Sequence, residues 1–373
     1  MRFALREMRR AMVRFALLIA SIGLLVFLIL FQQTLQNGLI TSFVGAIEQQ
    51  SAPVLVYSVD GRRNLQGSVI TPDLEAQVRA VDGVGAVGLI AQGTFSVTAG
   101  GELGSAALIG YSDPDLGAPE SMVAGRLPRD TGEIVAIDSA AEDGFDVGDT
   151  VTVEPGGLEL TVVGLAERIG YQASTTMFST FETYEQVVTS ANPDATGVLP
   201  AVLGIAPAEG ITDAALVERV NDAVPDADAL IRADAAAETP GVAQVRQSFQ
   251  VIFLLYGLVV PLVTGLFFLI ITLQKANSLT LLRAVGVPGA SLVRSLLFQV
   301  VVVLVAGIGV GIALYTPLSN QRLVGIPLSF QTGAVVFWSV TLLVLGVVSS
   351  LFSARRVLRI DPLEATTGAG VGT

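Results

Sequence analysis

Along the chain, hydrophobic positions come in two textures. Four stretches are apolar without a single charge: 15–31 (FALLIASIGLLVFLILF), 251–273 (VIFLLYGLVVPLVTGLFFLIITL), 295–316 (SLLFQVVVVLVAGIGVGIALYT) and 332–354 (TGAVVFWSVTLLVLGVVSSLFSA). A helix rises about 1.5 Å per residue, so each stretch reaches across a hydrocarbon core of roughly 30 Å. The pattern therefore predicts four transmembrane helices. The first is read as a retained anchor, not a cleaved signal peptide. Its apolar run is long, and no Ala-x-Ala-like site follows in LQNGLITSF.

Between the first and second stretches the texture shortens. Helix 1 is expected to run on through QQTLQNGLITSFVGAIEQQ, with Leu35, Leu39, Phe43 and Ile47 on one face. Alternation then predicts strands at PVLVYSV (53–59), FSVTA, SAALIGY, EIVAID (133–138), TVTVE (150–154) and LELTVVGLAE (158–167). Helices are predicted at TPDLEAQVRAV (71–81), with Thr71 as N-cap and Pro72 in the first turn, and at STFETYEQVVT (179–189). VLGIAP, TDAALVERVNDAV and ADALIRA read as strand, helix, strand. Strands and helices mix without the regular alternation of a doubly wound sheet. The expected fold class is a membrane protein with four transmembrane α-helices and a large α+β extracytoplasmic domain between helices 1 and 2.

The division this predicts begins with an amphipathic cytoplasmic N-terminus (1–14), helix 1 (15–38) and the α+β domain (39–246). Helix 2 (247–273), a cytoplasmic loop (274–294) and helix 3 (295–316) follow. A short external loop (317–331), helix 4 (332–354) and a cytoplasmic tail (355–373) complete it.

Charge supplies the orientation. Arg2, Arg6, Arg9, Arg10 and Arg14 precede helix 1; Lys275, Arg283 and Arg294 lie between helices 2 and 3; Arg355, Arg356 and Arg359 follow helix 4. Short basic flanks stay in the cytoplasm, which puts both termini and the 274–294 loop inside the plasma membrane. The domain has the opposite character. It carries 30 Asp and Glu against 9 Arg and no Lys, a net charge of −21. An acidic solvated face, a cationic partner and a salty medium all fit that balance.

Composition also excludes chemistry. The chain has no cysteine and no histidine. Disulfides, cysteine–histidine zinc sites, haem–thiolate ligation and histidine-based catalysis are therefore closed to it. Asp143, Asp146 and Asp149 in AEDGFDVGDT lack the spacing and distal Glu of a calcium loop, so VGDTVTV is read as a turn feeding a strand. The one lysine, Lys275, follows Gln274, so no Gly-Lys-Ser/Thr phosphate loop exists. The four spans hold no Asp, Glu, Lys or Arg, which argues against proton or sodium coupling. No cofactor, catalytic residue, metal site or nucleic-acid partner is expected for this chain.

Two features in the second half carry candidate function. In AGIGVGIA, Gly307 stands four before Gly311 and Gly309 four before Ala313, and such small faces let helices touch closely in lipid. Pro261 is expected to kink helix 2. The cytoplasmic stretch SLTLLRAVGVPGASLVRSLLFQ (278–299) holds Leu279, Leu282, Val285 and Gly286 on one side of a short helix, with Arg283 on another. A Gly-x-Pro-Gly break ends it before a new helix starts at Ser291. Its apolar face needs cover, from lipid or from a groove in a partner protein.

LTLLRAVGVPGASLVRSLLFQVVVVLVAGIGVGIALY resembles the signature of FtsX/MacB-type ABC transporter permeases, in which Leu-Leu-Arg-Ala-x-Gly precedes a glycine-rich span. ARRVLRIDPLEA (354–365) is similar to that family's C-terminal ending, and GRLPRDTGEIVAIDSAAEDGFDVGDTVTV resembles its external domain. The N-terminal third looks closest to the DevC-like branch. The resemblance implies a coupling helix in which Leu279, Leu281, Leu282, Arg283, Ala284, Val285 and Gly286 seat a separate ABC ATPase. It implies two ATPase copies holding ATP and Mg, and a second permease copy or paralogue within the surrounding lipids. It also implies work at the extracytoplasmic face, on a lipid-like or hydrophobic cargo or on an extracytoplasmic protein such as a cell-wall hydrolase. Antimicrobial-peptide resistance or sensing is a further family role. Two positions depart from the pattern. Gln299 replaces an acidic residue early in helix 3, and Ala276-Asn277-Ser278 stands where Arg-Glu is usual.

Overall fold

The computed structural model describes residues 12–195, 197–274, 288–319, 322–323 and 326–358. The chain opens with α1 (Met12–Glu48), β1 (Val54–Ser58), α2 (Pro72–Arg79), β2 (Val84–Ala99) and β3 (Glu102–Tyr111). There follow β4 (Met122–Gly125), β5 (Glu133–Ile137), β6 (Thr150–Glu154), β7 (Leu158–Ala166), β8 (Thr175–Thr180) and α3 (Phe181–Ala191). The next elements are β9 (Val202–Pro207), α4 (Asp213–Ala223), β10 (Ala227–Ile231) and α5 (Arg232–Glu238). Last come α6 (Val242–Gln274), α7 (Gly289–Tyr315), the two-residue strands β11 (Arg322–Leu323) and β12 (Ile326–Pro327), and α8 (Thr332–Leu358).

Four helices, α1, α6, α7 and α8, are long and apolar enough to cross a membrane. The chain divides into two compact units: Asn37–Arg246, and Met1–Gln36 together with Gln247–Thr373.

The first unit is a mixed α+β domain. Its sheet runs β10-β1-β9-β2-β3-β8-β5-β7-β4, with β6 bridging β2 and β7. β3–β8 and β5–β7 pair in parallel and the other ladders are antiparallel. Period-two alternation sorts the side chains. On β1, Leu55 and Tyr57 enter one core with Ile90 and Tyr111, while Val54 and Val56 enter another with Leu203 and Ile205. The second core lies under α2 and α4, which bury Leu74, Val78, Leu216 and Val220. Thr71, Thr180 and Thr212 cap α2, α3 and α4, each accepting a backbone N–H three residues on.

Several local expectations need correction. α3 starts at Phe181, not at 179, because Ser179 and Thr180 complete the strand β8. That strand, TTMFST, is buried through its centre although four of its six residues are hydroxylic, and it is not predicted by the sequence pattern, nor are β4 and α5. The helical extension of α1 is present to Glu48. Phe43 is 42% exposed, while Thr41, Ser42, Val44, Ala46 and Ile47 are buried. Small residues win there because another backbone comes against the helix, as described below.

In the second unit, Ile22, Val26, Ile29 and Leu30 of α1 share a core with Val300, Val303 and Leu304 of α7, Val260 of α6 and Leu342 of α8. α6 continues through Pro261 as one helix.

Candidate functional site

The residues expected to seat an ATPase, Leu279, Leu281, Leu282, Arg283, Ala284, Val285 and Gly286, lie outside the described residues. Description resumes at Pro288, the N-cap of α7, whose carbonyl accepts the Ser291 N–H at 2.9 Å.

The four small residues of α7 split into two faces. Gly307 and Gly311 are seated on α1. A Cβ added to Gly307 would lie 2.6 Å from Ile22 Cγ2, and one on Gly311 would lie 2.6 Å from Val26 Cβ. α1 reciprocates with Gly23, where an added Cβ would lie 2.8 Å from Val310 Cγ1. This is close backbone approach of the kind small residues permit in lipid. Gly309 has open space where a Cβ would go, and Ala313 is exposed. At 100° per residue, positions 307 and 309 point to nearly opposite sides of the helix. One face is occupied within the chain and the other is open.

α8 meets α7 where Gly346 sits against Leu304, and meets α6 where Gly265 sits against Ser349. The Ser349 hydroxyl donates to the carbonyl of Pro261 at 2.7 Å. At one level of the bundle polar groups gather. The hydroxyls of Thr34 and Tyr315 share a hydrogen bond of 2.6 Å, and the Tyr315 oxygen accepts the Gln331 backbone N–H at 3.4 Å. The Trp338 indole donates to Gln33 at 3.4 Å, with its ring 5.2 Å from that of Phe253. Thr34 and Tyr315 are buried, and their pairing satisfies two hydroxyls that lipid would leave unpartnered.

In the domain, residues 168–174 lie directly on the last turns of α1. Ala46 N–H donates to the Gly170 carbonyl at 3.0 Å, while the carbonyls of Phe43 and Ser42 accept from Gln172 and Ala173 at 3.1 and 2.8 Å. Glycines make room on both sides. A Cβ on Gly45 would lie 2.1 Å from the Arg168 carbonyl oxygen, and one on Gly170 would lie 2.8 Å from Ser42 Cα. Three non-glycine residues of this loop, Arg168, Gln172 and Ala173, have φ of 60°, 48° and 55°. Left-handed backbone is costly for residues with a side chain and persists where surrounding contacts enforce it. Ile169 and Tyr171 supply those contacts by inserting into the domain core.

The domain's electrostatics are structural. The Arg126 guanidinium, hydrogen-bonded to Glu133, holds that carboxyl down at about 2, against a desolvation effect and with help from the Arg129 and Asp130 N–H groups. Burial pushes the Tyr111, Tyr171 and Tyr184 hydroxyls up to about 12, and Tyr57 higher still. All four are neutral phenols at physiological pH, so none offers a phenolate ligand there. Among the described residues no group of three or more Asp or Glu is arranged to hold a metal ion.

Sequence reasoning missed Gly23, Thr34, Gly45, Gly170 and Tyr315. A glycine within an Ile/Leu-rich span was the available signal for Gly23; the others gave none.

No protein-family profile matches the chain. It is similar along its whole length to HrtB of Staphylococcus haemolyticus, a protein whose name assigns it to a hemin transport system as permease, at 22% identity over 99% of both chains. It is similar to Rv0072 of Mycobacterium tuberculosis, named as an ABC transporter permease, at 24% identity over 98% of this chain and 99% of that one. A third protein so named, Mb2592 of Mycobacterium bovis, is 26% identical with the same coverage. Among solved structures, the periplasmic region of MacB from Actinobacillus actinomycetemcomitans aligns with 50% of this chain and 92% of its own at 13% identity and TM-score 0.37. The extracellular domain of the transporter YknZ from Gram-positive bacteria aligns with 48% of this chain and 98% of its own at 12% identity and TM-score 0.35.

Proposed function

We propose that this chain, an ABC transporter permease of the FtsX/MacB type, relays ATP-driven movement from a separate cytoplasmic ATPase to its α+β domain on the far side of the membrane. The observation that carries the reading is the order of parts. One span, a domain of some 200 residues and three further spans align end to end with proteins named as ABC permeases. Arg and Lys flanking the spans support cytoplasmic termini and a cytoplasmic 274–294 loop. With no phosphate-binding lysine motif in the chain, the energy comes from a partner, and Leu279–Gly286 is its seat.

The cargo we favour is a hydrophobic or amphiphilic molecule extruded outward. The full-length HrtB relative, named for hemin transport, supports that class. Hemin itself would need ligands other than histidine, of which the chain has none, and other than the four buried tyrosines of the domain. A second permease copy completes the unit, and the open Gly309/Ala313 face supports its docking.

The test is at the coupling segment. Leu282→Asp with Arg283→Glu places acids on an apolar seat and reverses its charge. Stimulation of the co-purified ATPase is expected to vanish while membrane insertion persists. Undiminished stimulation in that double variant refutes the assignment. The proteins that co-purify from mild detergent separate cargo export from wall-enzyme control: a hydrolase held stoichiometrically by the domain decides for control.

A further inference from the structure

An outer strand of a sheet offers its free N–H and C=O groups to any other strand that meets it. The two outer strands of this sheet are β10 and β4. β4 is a poor template. It is four residues long, its register against β7 shifts between Met122 and Ala124, and it ends at Gly125 with φ 69°. A bulge and a left-handed glycine bend such a strand away from a straight partner.

β10 has none of these irregularities. Ala227–Ile231 pairs with β1 over five successive residues without a shift. Its one charged side chain, Asp228, accepts from Arg63 Nε at 2.7 Å and Nη2 at 3.2 Å, so its charge is already answered within the domain. The ladder fixes which backbone groups point outward. Val59 N–H donates to Asp226 O at 3.0 Å, and Arg232 N–H donates to Pro53 O at 2.9 Å. Bonded and non-bonded pairs alternate along an antiparallel ladder. Tyr57/Asp228 and Leu55/Leu230 are therefore bonded pairs, and Val56/Ala229 is not. Ala229 thus turns both its N–H and its C=O away from β1, to the outside of the sheet.

Those two groups are covered by a side chain. Asn221, in the last turn of α4, lays its amide against them. Its Oδ1 accepts the Ala229 N–H at 2.7 Å, and its Nδ2 donates to the Ala229 carbonyl at 3.1 Å. The Ala227 N–H, which faces the same way, donates to Val224 O at 3.0 Å. A carboxamide carries the donor and the acceptor of a peptide group, so Asn221 stands in for one residue of a further strand. Asparagine is a weak helix former, so helix propensity does not account for it there. Asn221 is exposed, so core packing does not account for it either.

We infer that Asn221 is a clasp that closes the β10 edge against the β10 strand of a second copy of this chain. Copies anchored in one membrane meet at high local concentration, where an open and regular edge pairs readily. In an antiparallel pair centred on Ala229, Asp228 faces Leu230 of the second copy, not another acid. Charge therefore does not defend this edge, and the clasp does.

The test is hydrogen exchange resolved to single amides, on the full chain in lipid nanodiscs. In the native chain the Ala229 amide is expected to be protected although it lies on the outside of the sheet. Asn221→Ala is expected to speed its exchange by about tenfold or more, while the Leu230 amide, bonded to β1, keeps its rate. A biotinylated peptide of residues 226–232 supplies the strand of a second copy. It is expected to capture the variant and not the native chain, and a scrambled peptide to capture neither. Asp222→Ala, at the exposed neighbouring position of the same turn, is the control and is expected to match the native chain in both measurements. An Ala229 amide that exchanges freely in the native chain overturns the inference without recourse to a variant. So does an unchanged Ala229 rate in Asn221→Ala, or an opened edge that captures no peptide. Faster exchange spread through Leu230 and α4 makes Asn221 a brace of the fold and overturns the clasp as well.

Discussion

Helices α1 and α6 are alike as sequences and unlike as neighbours. Both are uncharged over a membrane-spanning length, yet 39% of the apolar stretch of α1 is buried within the chain, against 11% of the stretch found within residues 242–263 of α6. The difference lies in small residues. α1 places Gly23 opposite Gly307 and Gly311 of α7, so the two backbones meet. α6 instead presents Leu254, Leu258, Leu262 and Leu266, one every fourth residue, all exposed. In lipid an exposed leucine loses nothing, since the tails around it are equally apolar, so hydropathy finds a span but says nothing of what it touches.

The largest effect expected from breaking this contrast is at the glycine seat. Gly307→Leu drives a side chain into Ile22, which already lies 2.6 Å from where the Cβ would be. A loss of about 1–3 kcal/mol is expected, read as a lowered thermal midpoint in detergent. Leu258→Ala on α6 is the matched control. A change within about 0.5 kcal/mol marks that face as lipid-exposed, and a loss comparable to that of Gly307→Leu marks it as covered by a second copy. Next in size is Tyr315→Phe, which removes the hydroxyl shared with Thr34 and is expected to cost about 0.6 kcal/mol by the same measurement.

The smallest effect is confined to acid and to the domain. Glu133 titrates at about 2 when folded, below its ordinary value of 4.5. The Arg126–Glu133 contribution is therefore fully present above pH about 4.5 and is lost as pH falls toward 2. Glu133→Gln is expected to flatten the stability–pH profile in that window and leave its shape at neutral pH unchanged, as followed by circular dichroism.

How much of this was legible in the sequence varies with how local the cause is. TVTVE was readable to the residue because its alternation and its preceding turn are both local. TTMFST was not, because Thr176 and Ser179 are buried within a sheet whose neighbouring strands, β3 and β5, are distant in the chain. The pairing of β1 with β9 and β10 likewise joins residues more than a hundred positions apart and leaves no local trace. In α1, the every-fourth-residue pattern of Leu35, Leu39, Phe43 and Ile47 marks one face of the helix but not which side turns inward. The loop bearing Gly170 turns Thr41, Ser42 and Gly45 inward together with Ile47 and leaves Phe43 exposed. The small-residue spacing of α7 was visible, whereas the partner of each face depends on Gly23 in another helix.

The single tryptophan of the chain, Trp338, stands where α8 touches two other spans: its ring lies against Phe253 of α6 and its N–H reaches Gln33 of α1. Nature has thereby installed one fluorophore at a junction of three membrane helices. Its emission colour and lifetime report on that junction in the unmodified protein, with no competing indole, so a displacement of α6 during turnover registers as an optical signal without a label.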